Sequence, residues 1–83
     1  MQSQEIKSRI TGYILDTTFA EKEKIQDSTL IFKEGFFDSM GFVMLLGFLE
    51  ETFSVKPVDA DLVEENFESI NAITEFVIRK QAA

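Results

Sequence analysis

The chain contains no cysteine and no histidine, and these absences exclude several classes of chemistry. Without cysteine there is no disulfide and no thiolate nucleophile or ligand. Without histidine the usual general base, the Ser-His-Asp arrangement and most zinc sites are missing. There is also no phosphate-cradling glycine loop and no credible Ser-Lys pair. We therefore expect a protein that is not an enzyme.

Proline occurs once and glycine four times in 83 residues, which argues against collagen-like, linker or disordered character. The apolar stretch 42–49 is too short to span a bilayer. Residues 1–9 are polar and do not resemble a signal peptide. A single cytoplasmic domain covering 1–83 is expected, as a monomer, with nine phenylalanines available for its core.

Positive charge is scarce in the second half of the chain. The net charge is −7, and residues 34–75 carry ten acidic side chains against Lys56 alone. Such a surface repels nucleic acid phosphates and attracts basic protein surfaces. A merely solubilising acidic surface is the simpler interpretation, and both stay open here.

Apolar spacing predicts an all-α fold of three main helices and one short helix. The first helix is predicted over 3–17, with one face formed by Ile6, Ile10, Tyr13 and Ile14. Residues 18–38 break the pattern and predict a long loop, with a possible helical turn at 22–26. A loop of this length is usually functional or held by apolar anchors. The candidate anchors are Leu30, Phe32 and Phe37.

The second helix is predicted from Asp38 or Ser39, either of which can cap it, to about Phe53. Its predicted core stripe is Met40, Val43, Leu46, Leu49 and Phe53, widened by Leu45. A short acidic helix is predicted over 59–66, with Leu62 and Val63 facing inward. Ser69 is predicted to cap a last helix with Ile70, Ile73, Phe76 and Val77 inside, fraying near Gln81.

The stretch 35–40 reads Gly-Phe-Phe-Asp-Ser-Met and leads directly into the apolar second helix. It resembles the attachment site of acyl carrier proteins, and its Asp-Ser-Met variant resembles that of D-alanyl carrier proteins. Asp27 to Leu30 looks like the family's Asp-x-x-Leu, and the segment 65–70 looks like its entry into the last helix. The resemblance covers nearly the whole chain and implies a four-helix acyl-carrier-like bundle.

The resemblance implies that 4'-phosphopantetheine from coenzyme A is attached to Ser39 by a phosphopantetheinyl transferase, with Asp38 supporting the transfer. The attached arm would carry an acyl or aminoacyl group as a thioester to acyl-loading and acyl-transfer enzymes. A helix N-terminus favours the phosphodiester charge, which agrees with this expectation. The simpler reading is that Asp38 and Ser39 only cap the helix.

The chain also departs from the fatty-acid carriers of this family, which have acids where it has Gly41 and Met44. This side of the helix docks partner enzymes in the family, and we expect it to do so here in a specialised pathway. The candidate docking residues are Met40, Gly41, Met44, Phe48, Glu50 and Glu51. An alternative is that Met44 and Phe48 pack under the long loop.

Two further readings use the same acidic surface. The acids from Asp59 to Glu68 suggest a calcium-binding site. An EF-hand loop starting at Asp59 needs a glycine at its sixth position and a glutamate at its twelfth, but this chain has Glu64 and Ile70 there. That match fails. The stronger alternative is an acidic helical interaction module without a prosthetic group.

Overall fold

The computed structural model describes residues 2–18 and 24–82. Every regular element in these ranges is helical, which confirms the all-α prediction of a small helical bundle. The elements are α1 (Ser3–Thr18), α2 (Ser39–Phe53), a 3-10 helix (Asp59–Asp61), α3 (Glu64–Phe67) and α4 (Ile70–Ala82). The predicted turn at 22–26 lies partly outside the described residues.

The core forms around α4, which contacts each of the other three α-helices. Its predicted inner face is confirmed, because Ile70, Ile73, Phe76 and Val77 are all buried. The Ser69 cap is also confirmed: Ser69 Oγ accepts a hydrogen bond from the Ala72 N–H at 3.1 Å. Opposite α4, α1 buries three isoleucines at helical spacing, as predicted: Ile6, Ile10 and Ile14.

The predicted inner face of α2 is partly wrong. Leu45, Leu49 and Phe53 are buried, whereas Met40 and Val43 are exposed. The cause is that α2 carries apolar residues on nearly all sides, so its spacing gives little contrast between an inner and an outer face. The tertiary contacts of α2 therefore decide which side is covered.

The predicted third helix over 59–66 is also corrected. It is two short elements, and Leu62 and Val63 between them are exposed rather than inward-facing. The break follows from tight turns, in which the Leu62 N–H donates to the Asp59 carbonyl and the Val63 N–H to the Asp61 carbonyl. Phe67 is the residue of α3 that is buried.

The loop before α2 is held by buried side chains and by backbone hydrogen bonds. Phe37 is buried as predicted, while Leu30 and Phe32 are only half-buried. The sequence did not identify Ile25 and Ile31, which are 4 % and 0 % exposed. This packing fixes the end of the loop, and with it the start of α2.

Candidate functional site

Asp38 caps α2 and places Ser39 as its first helical residue. Asp38 has an extended backbone, and its Oδ1 accepts a hydrogen bond from the Gly41 N–H at 2.9 Å. Its carbonyl accepts another from the Phe42 N–H, also at 2.9 Å. Of the two capping residues that the sequence allowed, Asp38 therefore does the capping. The side chain of Ser39 is not needed for the cap.

Ser39 lies exposed at the positive end of the α2 dipole. The first backbone N–H groups of a helix have no partners within the helix, so an anion placed there is favoured by both donors and dipole. No histidine exists to activate the hydroxyl. The arrangement suits a serine that is modified by another protein's active site and then holds a negatively charged group.

The turn that leads into α2 depends on two glycines. Gly35 has φ of +84°, a conformation that glycine adopts without strain. Gly41 lies against the loop, and a Cβ there would come within 3.3 Å of the Phe37 ring and 3.6 Å of Asp38 Oδ1. A larger side chain at Gly41 would press on the Phe37 ring, which would have to shift by a few tenths of an ångström, whereas its contact with Asp38 Oδ1 would be ordinary.

An apolar groove of about 450 Å³ begins at Ser39, and we call it the Ser39 groove. Its lining residues are Phe32, Asp38, Ser39, Phe42, Leu62, Val63, Glu64 and Phe67. Phe42 meets the buried Phe67 edge to face, with ring centroids 5.2 Å apart, and meets Phe32 at 5.8 Å. The three rings therefore pack against one another in a continuous aromatic cluster. An organic group on Ser39 would therefore lie beside an aromatic surface.

Sequence reasoning did not identify the far wall of the Ser39 groove. Leu62, Val63, Glu64 and Phe67 lie more than twenty residues from Ser39 along the chain. The packing of the bundle brings them to Ser39: α3 and α2 both contact α4, and Phe67 meets Phe42 directly. No local pattern carries that information. The resemblance of segment 65–70 to the carrier family was the nearest signal.

The predicted docking residues separate into exposed and packed groups. Met40 and Met44 are 68 % and 55 % exposed, and the neighbouring Val43 is 62 % exposed. Phe48 is half-buried and stacks on Tyr13 of α1, with ring centroids 4.1 Å apart. Phe48 therefore joins α1 to α2, and does not pack under the loop. Met44, in contrast, is covered neither by α1 nor by the loop and stays 55 % exposed.

The acidic end of α2 borders a second groove of about 680 Å³ along the seam with α1. Glu50 and Glu51 line it, together with Tyr13, Met44, Gly47 and Phe48. Both glutamates are exposed, and Glu50 Oε1 lies 3.7 Å from Lys56 Nζ. Within the described residues Glu51 has no cation in reach. The negative potential predicted for this face is thus only partly neutralised.

Comparison with known protein families gives no matching family model for this chain, and a comparison with curated proteins gives no matching relative. The resemblance to carrier proteins therefore rests on the sequence motifs alone. In the part of the chain that the structure describes, none of the helices has the length and apolar character needed to cross a membrane.

Proposed function

We propose that this protein is a carrier that holds an acyl or aminoacyl group on a phosphopantetheine arm attached to Ser39. The observation that carries the proposal is the position of Ser39: exposed, first in an Asp38-capped helix, and at the mouth of an apolar groove. When bound, the arm would supply a thiol that holds cargo as a thioester.

The residues around Ser39 fit such a group. The positive end of the α2 dipole favours a phosphodiester on the Ser39 Oγ, with the Gly41 N–H already bound by the Asp38 cap. Phe42 and Leu62 in the Ser39 groove offer apolar contact to the organic part of the arm. Attachment would form a bond between the Ser39 Oγ and phosphorus. It would release the adenosine bisphosphate half of coenzyme A and leave the hydroxyl proton with the transferase.

The partners that fit this function are a phosphopantetheinyl transferase and acyl-loading or acyl-transfer enzymes. They would approach α2, where an exposed apolar stripe ends near Glu50 and Glu51. Surfaces with an apolar centre and a basic edge match that pattern. We place the protein in the cytoplasm, where coenzyme A chemistry would be available, and in a specialised pathway.

Intact-mass measurement after incubation with coenzyme A and a broad-specificity transferase tests the proposal. We expect the wild-type chain to gain the mass of one phosphopantetheine and Ser39→Ala to gain none. The chain contains its own control, because Asp27-Ser28 is a second Asp-Ser pair, exposed in a turn instead of at a helix start. Ser28→Ala is expected to be modified like the wild type.

A folded wild-type chain that gains no mass with several transferases would contradict the carrier proposal. Ser39 would then be only the first residue of a capped helix. The acidic interaction module without a prosthetic group would become the better account, because the exposed stripe on α2 and its acidic end serve that function equally well.

Met44→Glu tests whether the α2 stripe contacts the modifying enzyme. Because Met44 is 55 % exposed, the substitution should leave folding unchanged, whereas a new charge against an apolar partner surface costs more than about 1 kcal/mol. We expect the KM of the transferase for the carrier to rise about tenfold. Gln4→Glu, with the same charge change at an exposed site of α1, is the control. Equal KM values for the two variants would contradict the contact.

A further inference from the structure

Asp61 is the central residue of a polar network beside the Ser39 groove. Its Oδ2 accepts a hydrogen bond from the Val58 N–H at 3.0 Å and lies 2.8 Å from Lys80 Nζ. Its carbonyl accepts hydrogen bonds from the Val63 N–H at 2.9 Å and from Asn66 Nδ2 at 2.8 Å. Asp61 therefore binds the chain on both sides of the 3-10 helix: its side chain holds Val58 before the helix, and its carbonyl holds Val63 and Asn66 after it.

The same network anchors this turn to the end of α4. Arg79 Nη2 donates to Asn66 Oδ1 at 2.8 Å, so both basic residues of the last turn of α4 are engaged. The side chains of Asp61 and Lys80 are 22 % and 28 % exposed, less than those of the other ion pairs in the described ranges. Reduced contact with water strengthens such a pair.

The electrostatics of Asp61 agree with this geometry. The hydrogen bond from Lys80, and then that from the Val58 N–H, lower the pKa of Asp61 from its ordinary value. A carboxyl whose pKa is lowered by folding stabilises the fold above its unfolded-state pKa, and this contribution is lost as the pH falls through the lowered value. At neutral pH the Asp61 carboxylate is therefore charged.

This network presents Leu62 and Val63 to the Ser39 groove. We call these two residues the apolar corner. They are 42 % and 44 % exposed, and they line the groove opposite Phe42 and Ser39. The hydrogen bonds of this turn hold the backbone that carries the two side chains, without core packing. The backbone of the apolar corner is therefore held at the edge of the groove.

We propose that Asp61 is a positioning residue for the Ser39 site, because it holds the apolar corner where a group attached to Ser39 contacts Leu62 and Val63. The inference rests on the proposed attachment at Ser39. It assigns to Asp61 and Lys80 a role that neither the α2 sequence nor the attachment motif contains. Loss of the Asp61–Lys80 ion pair should make the apolar corner more mobile, while the position of Ser39 stays unchanged.

Asp61→Ala and its matched control Asp59→Ala test the proposal. Both remove one acid from the same 3-10 helix, and Asp59 is exposed. In the unmodified chain, we expect the Val63 amide to exchange with solvent about fivefold faster in Asp61→Ala than in the wild type. Asp59→Ala should match the wild type, with both variants measured well below their unfolding temperatures.

The second readout is the methyl NMR signals of Leu62 and Val63 before and after phosphopantetheine is attached. We expect these signals to move in the wild type and Asp59→Ala, and to move by less than about half as much in Asp61→Ala. Lys80→Met should behave like Asp61→Ala, and Lys80→Arg, which keeps the cation, should restore the wild-type shifts. All these variants are measured well below their unfolding temperatures, where a loss of stability alone leaves the folded population and its signals unchanged.

The outcomes separate the two proposals. If mass measurement shows the arm on Ser39 but the methyl signals do not move, or move equally in Asp61→Ala, the positioning role is overturned and the carrier function stands. If Ser39 accepts no arm, the carrier function fails. Amide exchange in the unmodified chain then decides whether Asp61 holds the apolar corner. Equal Val63 exchange rates in Asp61→Ala and Asp59→Ala would overturn that role of Asp61.

Discussion

Replacing Phe67 with Ala is expected to lower the free energy of unfolding by about 3–5 kcal/mol. Phe67 is 2 % exposed, and its ring lies 5.2 Å from that of Phe42 and 5.0 Å from that of Phe76. It is the buried residue through which the four-residue α3 is joined to the core. The substitution loses the free energy gained by transferring the ring from water into the core. It also leaves a cavity between α2, α3 and α4.

The loss is large for a chain of this size. A domain of 83 residues is expected to have a stability of about 4–12 kcal/mol, at about 0.05–0.15 kcal/mol per residue. Urea unfolding followed by circular dichroism measures the change. Glu65→Ala, exposed in the same helix, is the control and should stay within about 0.5 kcal/mol of the wild type. A change below about 1 kcal/mol for Phe67→Ala would contradict the packing described.

The helices with strong apolar contrast could be predicted from the sequence. In α1 and α4, isoleucines recur at helical spacing among polar residues, so the pattern indicates both the element and its inner face. The cap residues Asp38 and Ser69 were also recognisable, because a short polar side chain before an apolar run has a local physical role. Both signals, the apolar spacing and the capping residue, can be read from residues within about one helical turn of each other.

The faces of α2 and of the third segment could not be predicted in the same way. In α2, Met40 and Val43 satisfy the same spacing as the buried Leu49, so tertiary contacts and not spacing distinguish them. Around Leu62 the helix is broken by turns in which N–H groups donate to the Asp59 and Asp61 carbonyls, and the Asp61 side chain pairs with the distant Lys80. Interactions over that sequence distance leave no local periodicity.

The Ser39 site shows the same division. The start of α2 and the serine could be identified from six consecutive residues, whereas the groove beside Ser39 is completed by Leu62, Val63 and Phe67. The groove exists because α4 packs on both α2 and α3. The position of Ser39 is therefore local in the sequence, but its surroundings are a property of the whole bundle.

Ile31→Ala is expected to destabilise the protein by about 2–5 kcal/mol, although Ile31 lies in a segment without regular structure. Its side chain is fully buried, and its N–H donates to the Glu68 carbonyl at 3.0 Å. The Ile31 carbonyl accepts hydrogen bonds from the N–H groups of Phe36 and Phe37. Ile31 thus connects the loop before Ser39 to the segment between α3 and α4.

The alanine variant keeps the backbone hydrogen bonds, so its effect measures packing alone. Ile31→Val should cost only about 0.5–1.5 kcal/mol. Lys33 is exposed and lies two residues further along the chain. Lys33→Ala should therefore change the free energy of unfolding by less than about 0.5 kcal/mol. Urea unfolding of the three variants should therefore give a graded series. If Ile31→Ala matched Lys33→Ala, the loop would not be packed on the bundle, and the start of α2 would lack the anchor that fixes Ser39.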